Sequence, residues 1–286
     1  MNRILLLAFG LASLAAAPAM AATTTTAAAK AAKAAAPKAP AAKAVASDSA
    51  PVSRLSAAQI VERNVAARGG LQAWRAVNSL SMSGKIDAGG KKEVALPFVM
   101  TMKRPHKSRF ELRFQEQTAV QVYDGAQGWK VRPFLGRDEV EPYTPAEAKS
   151  AAGLTELDGP LIDYAAKGTT VELQGVEAVE GHSAYKLKLT MKDHVQRHLW
   201  IDAKSFLELK IDGEPRKLDG RMRNVVIYYR DYKTENGLTV PYLMETVAAG
   251  AKASHKISIE HVTVNPPADD AMFAKPQLTV AKVSSQ

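Results

Sequence analysis

From Val77 onward the hydrophobic period of this chain is two. Leu80, Met82 and Ile86 alternate with Ser81, Ser83, Lys85 and Asp87, and Val94, Leu96, Phe98, Met100 and Met102 follow in strict alternation. Phe110, Leu112 and Phe114 interleave with Arg109, Glu111 and Arg113, and Val120 and Val122 read as a continuation of the same phase. Successive side chains of a strand point to opposite faces, so this pattern excludes amphipathic helices and calls for antiparallel strands with one apolar and one wet face.

Alternation resumes at Val171 and Leu173, then at Tyr185, Leu187, Leu189 and Met191 against Lys186, Lys188, Thr190 and Lys192. Further strands are expected over 194–202, 207–212, 222–232, 240–247 and 253–264. Asp87-Ala88-Gly89-Gly90, Asp124-Gly125, Asp212-Gly213 and Asn236-Gly237 supply the turn chemistry between strands. Helical punctuation is sparse. Ser56 and Gln59 make a capping box flanked by a Leu55/Ile60 staple, and that helix stops at Gly69-Gly70 before a short turn through Leu71 and Trp74. Thr144-Pro145-Ala146-Glu147 opens a second helix, and Asp158-Gly159-Pro160 a third over 161–166. With about eleven strands, no repeat and no βαβ unit, the expected fold is α+β. It is one strongly curved antiparallel sheet, a half-barrel, with short helices capping its concave face.

The ends of the chain read differently. Met1-Asn2-Arg3, an apolar run to Leu14 and Ala19-Met20-Ala21 form the layout of a secretory signal peptide cut after about Ala21. Residues 22–51 are Ala, Lys, Thr and Pro with almost nothing large and apolar, the composition of a disordered tether. The domain is expected over 52–286. Export of a chain with 286 residues and no cysteine suggests the periplasm, and excludes a disulfide framework or a thiolate metal site. Arg3, Lys30, Lys33, Lys38 and Lys43 against Asp48 place +4 of the +9 formal charge in residues 1–51. What remains on the domain forms no basic stripe, so no nucleic-acid partner is implied.

The apolar strand face is long, and leaving it wet would forfeit roughly 1.5–3 kcal/mol per side chain. Met82, Phe98, Met100, Met102, Phe110, Leu112, Phe114, Val120, Val122, Leu187, Leu189 and Met191 are the candidate lining of a cavity, with Leu154, Leu157, Leu161 and Ile162 as candidate lid contacts. Either the helices pack this face as ordinary core, or space remains for a lipid or acyl chain. The unbranched thioethers of Met82, Met100, Met102 and Met191 suit an adaptable pocket.

Catalytic patterns are missing. His194 and His198 have helical i, i+4 spacing, but on a strand they stand about 13 Å apart. The sequence has no HExxH, GxSxG elbow, Walker loop or GxGxxG before a helix, so no metal, cofactor or enzymatic role is expected. Asp269-Asp270 cap a final turn at Ala271-Met272-Phe273. The basic run Arg216-Lys217…Arg221-Met222-Arg223 is either a solvated loop or a contact for an anionic headgroup or partner.

The order of several short features then carries a resemblance. They are the 56–68 helix with Gly69-Gly70, the Tyr123-Asp124-Gly125…Trp129 turn and Leu199-Trp200-Ile201-Asp202. Tyr232…Gly237-Leu238…Val240-Pro241 and Asn265-Pro266…Phe273-Ala274-Lys275-Pro276 complete the series. Together they resemble the periplasmic outer-membrane lipoprotein-sorting (LolA-like) family over roughly 56–276. The resemblance implies an eleven-stranded half-barrel closed by helices over an apolar cavity. It implies a noncatalytic carrier of lipid or lipoprotein acyl chains, monomeric, with inner- and outer-membrane protein partners and at most peripheral membrane contact. It also implies an arginine that latches the helical lid, a role for which Arg197 and Arg113 are the conceivable residues. An envelope sensor or scaffold of the same fold, docking a protein, is the alternative.

Overall fold

The first helix begins where its punctuation places it. The Ser56 amide donates to Gln59 Oε1 (2.9 Å) and the Gln59 amide to Ser56 Oγ (3.2 Å), closing the capping box of α1 (Ala57–Ala67). Arg68 caps its C-terminus, and after Gly69-Gly70 a short helix α2 (Leu71–Arg75) buries Trp74, whose indole N–H donates to the Arg68 carbonyl at 3.0 Å. This computed structural model describes residues 55–87, 94–154, 156–218, 220–251 and 254–277. The expected signal peptide and tether lie outside them.

The strands are β1 (Ser79–Asp87), β2 (Ala95–Lys103), β3 (Lys107–Phe114), β4 (Gln117–Tyr123), β5 (Gly128–Arg132) and β6 (Arg137–Pro142). After helix α3 (Pro145–Leu154) come β7 (Thr170–Val179), β8 (His182–Thr190), β9 (Gln196–Asp202), β10 (Glu208–Asp212), β11 (Arg216–Leu218) and β12 (Arg221–Arg223). The last three are β13 (Val225–Glu235), β14 (Leu238–Ala248) and β15 (His255–Val264). All but β11 and β12 join one sheet of 13 antiparallel strands in the order β6-β5-β4-β3-β2-β1-β15-β14-β13-β10-β9-β8-β7, a curved α+β architecture not closed into a barrel. Neighbours in the sheet are neighbours in the chain, apart from β10 and β13, which pair across the ribbon, and β15, which returns beside β1 to join the two limbs.

Register fixes which side chains share a face. Across the middle of the sheet Leu96 pairs with Ile86, Ile86 with Ile257, Ile257 with Met244, and Met244 with Tyr229. This row defines the inner face. The outer face of the first limb carries Ser79, Lys103, Lys107 and Arg109, and the C-terminal segment lies across it. Ser79 Oγ donates to the Pro266 carbonyl (2.8 Å), Lys103 to that of Ala268 (2.8 Å) and Arg109 to that of Met272 (3.1 Å). Asp269 caps the final 3₁₀ turn (Asp270–Phe273) as expected, and hydrogen bonds from Lys103 and Lys107 pull the Asp270 carboxyl down to about 2. On the outer face of the second limb, Lys210 stacks on Trp200 (4.1 Å) and Arg230 on Tyr228 (5.0 Å).

Several expectations need correction. The sheet has 13 strands rather than about eleven, because residues 128–142 form the hairpin β5–β6. The expected helix over 161–166 is a run of hydrogen-bonded turns, since Asp163 has φ of +51°, outside the right-handed helical region. Asp212-Gly213 is not a hairpin turn: the chain leaves there to form the separate ribbon β11–β12, where a loop was one reading. Asn236-Gly237 does make the β13–β14 hairpin, with φ of +51° and +81° as a type I′ turn requires. The expected turn over 87–90 falls mostly on residues outside those described.

Candidate functional site

The inner face is apolar from limb to limb. Met82 pairs with Met100 and Met100 with Phe110; Phe98 pairs with Leu112, with the Phe98 and Phe110 rings 6.0 Å apart. On the second limb Ile227 pairs with Ile211, Ile211 with Leu199, and Leu199 with Leu187. Phe98, Met100, Met102, Phe110, Leu112, Leu187 and Leu189 are all buried, while Met82, Phe114 and Met191 are half-buried. Met191 closes the face at the end of β8, its sulfur accepting from Thr169 Oγ1 at 3.8 Å.

Three pieces of chain cover this face. Helix α1 buries Ile60, Val61 and Asn64, and Asn64 Nδ2 donates to the Phe206 carbonyl at 2.8 Å. The turns of 157–168 place Leu157 and Ile162 in the same apolar cluster as Phe98, Met100 and Trp74, and Leu161 is buried as well. Their anchor is Asp158, which accepts from Arg104 Nη2 and Lys167 Nζ, each at 2.9 Å, while its carbonyl accepts from Arg68 Nη1 at 3.0 Å. Burial alone would raise the Asp158 carboxyl. The hydrogen bonds and charges of Lys167 and Arg104 outweigh it and hold the carboxyl below the ordinary range.

Helix α3 is the third piece, tied to both limbs. At its start Glu147 completes a capping box with Thr144, whose amide donates to Glu147 Oε2 at 2.8 Å, and meets Lys130 of β5. Farther along, Ser150 Oγ donates to Glu214 Oε2 (2.8 Å), and Lys149 Nζ meets Asp193 Oδ2 (3.0 Å). Arg197, on the inner face opposite Leu189, meets the other oxygen of Glu214 at 3.2 Å. Of the two arginines considered for the latch, Arg197 thus shares an acceptor with α3. Arg113 lies on the outer face, opposite Thr118.

A polar cluster that sequence reasoning missed sits under the cover. Arg68 Nη1 stands 3.5 Å from Glu208 Oε1 and its guanidinium stacks on Trp74 at 4.5 Å; Tyr232 Oη donates to Glu208 Oε2 at 3.1 Å. Burial, then the Glu208 charge, pushes the Tyr229 and Tyr232 phenols well above their ordinary value. Alternation hides Glu208. A bulge between Glu208 and Lys210 moves it onto the inner face opposite Ile201, while Lys210 stays outside opposite Trp200.

Two predicted lining residues face the other way. Val120 pairs with Glu111 and Val122 with Arg109, so both lie on the outer face; the inner positions of β4 are Ala119, opposite Leu112, and Gln121, opposite Phe110. The tight turn at Gln115-Glu116, where both residues have positive φ, shifts the phase between the strands. The side chain of Leu154 lies outside the described residues. Phe114 extends the inner face to the rim, edge-on to Phe134 at 6.0 Å. There it joins Pro97, Arg113 and Gln115–Thr118 around a groove of about 440 Å³ open to solvent.

No protein-family model and no curated protein sequence matches the chain. Solved structures do. A DUF1329 family protein from Desulfovibrio piger aligns with a TM-score of 0.53 at 14% identity, over 77% of this chain and 97% of that one. A LolA superfamily protein from Nitrosomonas europaea gives 0.52 at 15%, over 77% and 98%. A domain named for outer membrane lipoprotein sorting, from Vibrio parahaemolyticus, gives 0.51 at 12%, over 77% and 96%. The sheet described above, with its helical cover, is therefore the fold shared by LolA superfamily and DUF1329 proteins.

Proposed function

We propose that this chain is a noncatalytic carrier that shields the acyl chains of a lipid or lipoprotein against the inner face of its sheet and moves them through the periplasm. The observation that carries this reading is the continuity of the apolar face. It runs from Leu187 and Leu199 through Met244 and Ile257 to Met100, Phe110 and Phe114. Opening of α3 and the 157–168 turns would admit the chain, and buried methylenes at about 0.8 kcal/mol each would hold it. Ten of them give a gross gain of roughly 8 kcal/mol, near micromolar affinity before ordering costs. Two of the three ties of α3, Ser150–Glu214 and Lys149–Asp193, are polar and reach solvent, so they can be exchanged for water.

Native mass spectrometry of the purified protein, followed by organic extraction, tests the proposal. Co-purifying lipid, or saturable uptake of a fluorescent fatty acid, supports it. A protein that carries no lipid and whose melting temperature ignores added acyl chains overturns it. A single stoichiometric protein partner, captured regardless of lipid, would put the sensor or scaffold reading in its place.

A further inference from the structure

Two buried side-chain polar atoms among the described residues have no hydrogen-bond partner, Asn64 Oδ1 and Arg132 Nε. The second belongs to a cation. Arg132 ends β5 with its side chain 10% exposed, and its Nη2 donates to Glu141 Oε2 at 2.8 Å. Arg137 Nη1 stands 3.5 Å from the same oxygen, so one carboxylate serves two guanidinium groups. Arginines of β3 and of the turn before it have a satisfied Nε. That of Arg104 donates to the Val77 carbonyl at 2.8 Å, and that of Arg109 to Glu111 Oε1 at 2.7 Å. Lys130, the other cation that β5 turns inward, is closed off by Glu147.

Place gives this orphan donor a meaning. Val131 pairs with Val120 on the outer face, so Arg132 stands on the inner face beside Ala119. Ala119 lies opposite Leu112 and Leu112 opposite Phe98, all three buried. An apolar row, roughly 14 Å long at the spacing of strands, thus ends on a guanidinium with a donor to spare. The residue next to that guanidinium is the smallest of the row. A buried N–H without an acceptor is costly, and a charged donor bonds an anionic oxygen about twice as strongly as a neutral pair bonds. We propose that Arg132 receives the anionic end, a carboxylate or a phosphate, of the acyl chain that the inner face takes up. The inference rests on the carrier reading and narrows it: the cargo is an anionic amphiphile, because an acyl chain ending in a neutral ester serves a guanidinium donor less well.

Titration of the full chain with palmitate, hexadecyl phosphate and methyl palmitate tests this. The two anions should bind about 10- to 100-fold tighter than the ester. Arg132→Met should bring the anions to the level of the ester and leave the ester unchanged. Glu141→Gln, which frees both guanidinium groups of their shared carboxylate, should widen the preference. If Arg132→Met fails to fold, the parent's own ratio of anion to ester still decides. Equal binding of anion and ester by the parent overturns the proposal and leaves the carrier standing, with Nε served by water alone. A preference that survives in folded Arg132→Met overturns it as well. Inorganic phosphate that displaces palmitate at equal concentration would make this a free-anion site and overturn the amphiphile assignment. If neither anion nor ester binds, the carrier reading itself falls and the proposal with it.

Discussion

Lys130 Nζ and Glu147 Oε1 lie 2.5 Å apart with side chains 7% and 3% exposed, an ion pair sealed between strand β5 and the first turn of α3. Burial by itself would raise the Glu147 carboxyl; the Lys130 hydrogen bond and charge, with the Thr144 amide, bring it below its ordinary value. Removing one partner strands a charge in the interior, which costs about 3 kcal/mol or more. Lys130→Met should therefore lower the urea midpoint by that equivalent at unchanged m, and Lys130→Met/Glu147→Leu should recover most of it. A single variant as stable as the parent would mean that α3 is not anchored here.

Asp158 makes stability depend on acid. Its folded-state pKa is depressed, so its contribution is full above the ordinary carboxylate value and is lost as pH falls through the folded one. Asp158→Asn should be less stable than the parent at pH 7, and the two melting curves should converge as pH drops below the ordinary range. A gap independent of pH would count against the ion-pair account.

Gly84 sits beside the bulge between β1 and β15, where an added Cβ would meet the Ser258 carbonyl oxygen at 2.0 Å. Backbone cannot rotate away as a side chain can. Gly84→Ala should cost about 3 kcal/mol, at the upper end for overpacking, and amides of β15 near Ser258 should lose hydrogen-exchange protection first.

The carrier reading separates two residues that periodicity alone treats alike. Phe114 is half-buried at the rim of the inner face, so Phe114→Glu should weaken fluorescent fatty-acid binding at least tenfold while the fold persists. Val120 faces outward, and Val120→Thr should leave affinity unchanged. Equal losses in the two variants would remove the inner face from the binding account.

Legibility followed solvent exposure. Where one face is wet, as in Leu187 and Leu189 against Lys186 and Lys188, alternation marked strand and face together. It failed at β5, where Trp129 and Val131 point outward and the buried cations Lys130 and Arg132 inward, so polarity no longer tracks exposure. It also failed at Val120, Val122 and Glu208, where a tight turn or a bulge shifts the phase without changing composition. Capping boxes at Ser56 and Thr144 were readable because they are local; the meeting of Glu214 with Ser150 and Arg197 is not.

An open sheet keeps two margins, and β7 is one of them, ten residues long with Leu173 and Val176 exposed. Such a border is a template for zipping onto another molecule. Here the ladder slips at Gly175, and Glu172 and Glu177 stand along the strand, the one braced by Lys188 and the other by Lys186. A kinked and acidic border disfavours pairing with its own likeness and so favours dispersal of copies. Straightening and neutralising it with Gly175→Val and Glu172→Val should bring on concentration-dependent light scattering, and a border that stayed inert would assign that dispersal to some other part of the surface.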